Sequence, residues 1–194
     1  MKSPRIVLAS TSSYRRALLE RLRLPFEVRS PKIDEARSPG ETARATALRL
    51  AEAKARAVVP ACPEALIIGS DQVAALGDAH LGKPGTHANA VAQLQAMRGK
   101  EVVFHTALAL INSETGTAQV EEVPTTVGFR HYSDAEIERY LAAEQPYDCA
   151  GSAKIEGLGI ILVEYVRGDD PSALIGLPLA RLASMLRNEG VAIV

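Results

Sequence analysis

A short apolar run, Ile6-Val7-Leu8, gives way within a few residues to a segment whose leucines recur at helical spacing, Leu18, Leu19 and Leu22. That change of period commits the start of the chain to a strand feeding directly into a helix. The junction carries Ser10, Thr11, Ser12, Ser13, Tyr14, Arg15 and Arg16. Arg15 and Arg16 fall in the first helical turn, where the positive end of the helix dipole disfavours cations. An anion docked there would turn the penalty into attraction, with the Ser10 and Ser12 hydroxyls and the first backbone N–H groups as further donors; a polyphosphate suits the charge. A serine-capped helix with both arginines in solvent is the other reading, and this segment alone does not choose between them.

The alternation continues along the chain. The spacing predicts a strand at 5–9, a helix at 13–23, a short strand at 26–30, a proline- and charge-rich loop at 31–40 and a helix over 41–58. An apolar strand at 66–70 continues over 72–76, Gly77-Asp78 turns into a strand at 79–81, and a helix covers 87–97. Longer strands at 101–112 and 117–130 join across Ser113-Glu114-Thr115-Gly116. A helix at 133–143, a strand at 159–166 and a last helix at 178–188, with Pro178 at its first position, complete the pattern. Such a mixture is α/β, with a sheet that is not wholly parallel. The 194 residues are read as one domain, 1–194, able to bury a substantial core.

Composition excludes several classes. A net charge of −1 leaves no extended basic footprint for nucleic acid, and no apolar run is long enough to cross a bilayer. The run after Met1-Lys2-Ser3-Pro4-Arg5 is too short for a secretory signal. Cys62 and Cys149 match no metal or redox spacing, so reduced thiols in the cytoplasm are expected. His80, His87, His105 and His131 also lack ligand spacing, and Asp169-Asp170-Pro171 reads as a turn. With no P-loop or dinucleotide motif, any bound phosphate falls to the serine–arginine helix start and to lysines.

Asp71 ends the apolar run Ala65–Ser70, at the carboxyl end of a strand that should be buried on both faces. A carboxylate there can hold a divalent ion or take a proton from water, or it can simply stabilise a turn. Asp34-Glu35, on the proline-rich loop, is a second acidic feature, either two solvated charges or ligands for a hard cation. Lys54 falls three or four residues from Ala47, Leu50, Ala51 and Val58, on or beside the apolar face of its helix, where it either snorkels or meets an anion. Lys83 stands between Gly82 and Pro84, and the proline holds it in an extended backbone.

Leu8 to Arg16, with Leu18-Leu19 after it, resembles the opening signature of the Maf nucleotide pyrophosphatases. The likeness recurs in family order at Asp34-Glu35, Leu50–Ala55, Ile67–Val73, Gly82-Lys83-Pro84, Ala150-Gly151-Ser152, Glu156-Gly157-Leu158-Gly159 and Gly176–Leu179, covering nearly the whole chain. Gly69-Ser70-Asp71-Gln72 and the Glu156 segment are most similar to the YceF-like branch, which hydrolyses 7-methyl-GTP. The resemblance implies a mixed, elongated central sheet flanked by helices, of the Maf/ITPase-like kind, with two lobes and a cleft between them. It implies Asp71 as the general base and a divalent ion, Mg²⁺ or Mn²⁺, near Glu35 and Asp71. Ser10, Ser12, Arg15, Arg16, Lys54 and Lys83 are implied to bind phosphate. Tyr14, Gln72 and Glu156 match the positions that set the base, although Tyr14 stands where the methyl-guanine branch is expected to carry tryptophan. Glu156 could accept from the guanine edge and offset the charge of an N7-methylated ring. The implied products are a nucleoside monophosphate and pyrophosphate, the implied role is the removal of modified nucleotides, and a homodimer fits the family. Hydrolysis of dTTP or UTP, and a nucleotide-binding regulator of division or septum formation with little turnover, remain the alternatives.

Overall fold

The computed structural model describes residues 4–193; Met1, Lys2 and Ser3, which enter the reading of the N-terminus, lie outside them. In chain order the elements are β1 (Arg5–Ala9), α1 (Ser13–Glu20), β2 (Glu27–Arg29), α2 (Ala43–Val58), β3 (Ala65–Leu76), β4 (Ala79–Leu81) and α3 (His87–Met97). They continue as β5 (Glu101–Asn112), β6 (Ala118–Phe129), α4 (Asp134–Glu144), β7 (Val163–Gly168) and α5 (Leu179–Asn188). The strands form a seven-stranded sheet in the order β2-β1-β3-β5-β6-β7, with β4 paired to β3. β1 runs parallel to β2 and β3, while β4 on β3 and β7 on β6 are antiparallel, so the fold is α/β with a mixed sheet. The apolar opening of β3, Ala65–Ile68, follows from its place between β1 and β5: every residue from Ala65 to Asp71 is buried, Ser70 and Asp71 included.

Two compact units divide the chain. One comprises Met1–Asp71, Thr106–Val123 and Asp170–Val194, and the other Gln72–His105 and Pro124–Asp169. The first unit has a core of Ile6, Leu8, Leu18, Leu19, Leu66, Ile68, Leu108, Leu110, Leu177, Leu182, Met185 and Leu186. The leucine face of α1 and the apolar face of α5 therefore supply this core together with alternate residues of β1, β3 and β5. In the second unit Leu94, Met97, Val102, Phe104, Phe129, Ile137, Tyr140, Leu141 and Leu162 are buried.

Some boundaries differ from those the sequence predicts, each for a local reason. The first helix stops at Glu20, short of 23, and Arg23 takes a left-handed backbone with φ of 54°. α2 begins at Ala43 because Thr42 caps it, its side chain accepting from the Ala45 N–H. The last strand begins at Val163 and not at 159. Gly157 and Gly159 N–H both donate to the Lys154 carbonyl at 3.0 Å, and Leu158–Leu162 then forms a 3₁₀ turn. A side chain at Gly159 would lie 2.5 Å from that same carbonyl oxygen, which is why the turn needs glycine. Cys62 is buried, Cys149 half-buried, and the two are not joined in a disulfide. Among the described residues no helix is long and apolar enough to cross a membrane.

Candidate active site

The centre of the first unit is set by a close approach of helix and strand. A Cβ on Gly69 would lie 2.1 Å from the Ala51 carbonyl oxygen and 2.8 Å from the Ala55 nitrogen. With glycine in β3 and alanines in α2, the two backbones meet, and Lys54, one turn of α2 along, is carried down onto the strand. Lys54 is 5% exposed, and its Nζ donates to Asp71 Oδ1 at 2.7 Å. The same ammonium lies 3.0 Å from Glu35 Oε1, so one buried cation spans both carboxylates that the sequence singles out. Of the two ways to place a lysine on an apolar face, it takes the anion and does not snorkel.

Arg15 and Arg16, adjacent in sequence, go different ways. Arg15 is half-buried; its Nε donates to the Gly176 carbonyl at 2.9 Å, and its charge acts on Asp71 and Glu35. Burial lowers the pKa of its guanidinium and the two carboxylates oppose that shift, so it stays charged. Arg16 lies at the surface, 3.1 Å from Glu20 one turn on. Ser12 Oγ caps α1 by accepting from the Arg15 N–H, and buried Ser10 accepts from the Ser12 N–H at 3.1 Å. Both serines thus shape the helix start, and each hydroxyl proton remains a donor. Tyr14 is half-buried in the first turn, and Gln72, also half-buried, follows Asp71 in β3.

Burial holds the Asp71 carboxyl above its ordinary value, Lys54 and Arg15 pull it back, and Glu35 adds to the rise. A buried carboxylate with an elevated pKa is suited to taking a proton, and the two cations beside it to stabilising charge on a neighbouring anion. Glu35 and Asp71 also offer the hard oxygens a divalent ion takes. Among the described residues no group of three or more His, Cys, Asp or Glu is disposed to hold such an ion.

Several supporting residues escape a reading of the sequence. Ser70 Oγ lies 2.8 Å from the Ala107 carbonyl oxygen and 2.9 Å from that of Gly176, so Gly176 fixes both Ser70 and Arg15. Asp170 is buried and accepts from the Ser172 and Ala180 N–H groups, fastening the segment before α5. The Gly176–Leu179 block of the family likeness was the available signal for this segment. The loop that carries Glu35 is tied down by Glu41, which takes a two-pronged pair from Arg49 at 2.7 and 2.8 Å, while Arg49 also reaches the Ala36 carbonyl. Asp34 accepts from the Ala36 N–H and shapes the same loop.

In the second unit Lys83 is exposed, and its neighbours Gly82 and Pro84 are held by Gln93 and Asn89 of α3. Glu156 stands at the apex of the turn closed by Gly157 and Gly159. Glu156 is exposed, yet partial burial of its carboxyl raises the pKa, with Glu144 and Asp148 pushing the same way and Lys154 opposing. Glu144 braces the turn by accepting from Lys154 Nζ and the Leu158 N–H, each at 2.7 Å.

Solved HAM1 proteins from Coxiella burnetii and Staphylococcus aureus align with 65% and 64% of this chain and 73% and 71% of their own, at TM-scores of 0.44 and 0.45 and 19% and 16% identity. Closer relatives come from sequence. A protein named 7-methyl-GTP pyrophosphatase from Thiobacillus denitrificans is 60% identical over 189 residues, covering 97% of this chain and 94% of its own. Proteins of the same name from Cupriavidus metallidurans and Methylobacillus flagellatus are 58% and 59% identical, covering 96% and 98% of this chain and 94% and 100% of their own. The family model described as Maf-like protein matches residues 5–189, and this chain belongs to the Maf family.

Proposed function

We propose that the chain is a nucleoside triphosphate pyrophosphatase that hydrolyses 7-methyl-GTP to 7-methyl-GMP and pyrophosphate. The observation that carries this reading is the buried Lys54–Asp71 pair, 2.7 Å apart, with Arg15 acting on the same carboxylate. Relatives named for this activity, alike over almost the full length, support the choice of substrate.

In this reading Asp71 takes the proton of a water whose oxygen attacks the α-phosphorus. The α–β bridging bond breaks, and its electron pair leaves with pyrophosphate. Arg15 and Lys54 stabilise the charge that builds on the phosphate oxygens, which is how positively charged sites speed phosphoryl transfer. Ser10, Ser12 and Lys83 are further phosphate contacts. Arg16 can exchange Glu20 for phosphate at small cost, because an exposed pair contributes little. A divalent ion, Mg²⁺ or Mn²⁺, held by Glu35, Asp71 and the phosphates, would neutralise phosphate charge when bound. Glu156 meets the methylated guanine, Tyr14 stacks and Gln72 contributes to base choice.

A panel of 7-methyl-GTP, GTP, dTTP and UTP, read by pyrophosphate release with Mg²⁺ and with Mn²⁺, tests the proposal. Preference for 7-methyl-GTP, lost in Asp71→Asn, is the expected result. Preference for dTTP or UTP would move the chain to that substrate class. Release from none of them would leave a nucleotide-binding regulator.

A further inference from the structure

Gly82 and Ser152 lie far apart in sequence on either side of α3, and one side chain joins them. Gln93 Nε2 donates to the Gly82 carbonyl at 3.0 Å, and Gln93 Oε1 accepts from Ser152 Oγ at 2.6 Å. The Gly151 N–H reaches the same Gly82 carbonyl at 3.3 Å. Both ends of the amide are committed, which also fixes its orientation. What it joins bears on chemistry. Gly82 immediately precedes Lys83, whose loop is pinned further along by Asn89 on the Pro84 carbonyl and by the Gly85 N–H on the Tyr147 carbonyl. Ser152 opens the segment that ends at Glu156.

Ser152 is also held in a conformation that serine rarely takes. It is fully buried with φ of 57°, directly after Gly151 at 69°, and its carbonyl accepts from the Tyr140 hydroxyl. Consecutive left-handed residues, one of them not glycine, persist only where surrounding contacts hold them. Gln93 supplies the side-chain half of that hold.

We infer that Gln93 is a positioning residue that ties the Lys83 loop to the turn presenting Glu156, so that one amide sets the placement of a phosphate contact and a base contact together. The inference rests on the roles proposed above for Lys83 and Glu156. Gln93→Leu removes both bonds; Gln93→Glu keeps the acceptor for Ser152 but loses the donor to Gly82.

The test measures KM, kcat and the preference for 7-methyl-GTP over GTP in these two variants, beside Lys83→Met and Glu156→Gln. Gln93→Leu is expected to raise KM about tenfold, with kcat changed much less, and to narrow the preference, as expected for loss of one or two hydrogen bonds that place binding groups. Gln93→Glu should raise KM while keeping the preference. Amide exchange at Gly151 should quicken in both, a readout independent of turnover. If Lys83→Met and Glu156→Gln shift these values while both Gln93 variants match the wild type, the inference fails and the functional reading stands. If Lys83→Met and Glu156→Gln also have no effect, the roles of the two loops fail and the inference goes with them. Should Gln93→Leu not fold, Gln93→Glu and Ser152→Ala, which break one end each, decide the matter.

Discussion

Asp71 is caught between burial, which favours its protonated form, and the Lys54 and Arg15 charges, which favour the carboxylate; burial dominates. The proposed base must be ionised to act, so protonation from the acid side would remove activity. The acid limb of kcat/KM should therefore lie above the pKa of an ordinary aspartate, and a limb at or below that value would show that another group limits the reaction. At this scale the sequence was partly legible. The helical spacing around Lys54 exposed a conflict between charge and apolar face, and the apolar run before Asp71 marked the carboxylate it meets, although that carboxylate lies within β3 and not at its carboxyl end. The separate fates of Arg15 and Arg16 were not legible. They depend on the Gly176 carbonyl, more than a hundred and fifty residues away (161 positions), and no local pattern encodes a partner at that distance.

Among the elements, the β3–α2 contact is the one on which the geometry of the first unit most depends. Gly69→Ala would press a methyl group against the Ala51 carbonyl, a backbone atom that cannot rotate away. Overpacking of this kind costs about 1–3 kcal/mol, and contact with rigid backbone belongs at the upper end. Chemical denaturation should show that loss as a lower midpoint with an unchanged slope; a neutral result would mean that α2 can shift outward freely. If the helix does shift, Lys54 moves with it, and activity should fall further than the loss of folded protein explains. Element order and type were largely readable, because β1 beyond Arg5 and the start of β3 are unbroken apolar runs and the apolar residues of α1 and α2 recur at helical spacing. The end of α1 and the start of β7 were not. A 3₁₀ turn built on Gly157 and Gly159 has no period of its own, and the run Leu158–Val163 looks like strand until its glycines are seen closing on the Lys154 carbonyl.

Across the whole molecule, response to acid sums over carboxylates shifted in opposite directions. The Arg49 pair holds Glu41 down to about 2, and the backbone N–H of Ser133 together with Arg130 holds Glu136 down to about 2, both from 4.5. A carboxyl with a lowered folded pKa contributes stability above its unfolded value and loses it as pH falls through its folded value. Asp71 and Glu156 run the other way, since their raised folded values give stability only at low pH. The protein should lose denaturant resistance as pH falls from 4.5 to 2, and Glu41→Gln should flatten that decline. An equally steep decline in the variant would mean that the Arg49 pair contributes nothing to it. The ammonium locked between Glu35 and Asp71 has a consequence for reagent chemistry as well. An acylating label applied to the native protein should modify exposed Lys32, Lys83 and Lys100 and pass over Lys54, whose side chain is only 6% exposed. Peptide mapping would then display Lys54 as a blank in the lysine footprint, one that fills in only when the fold opens.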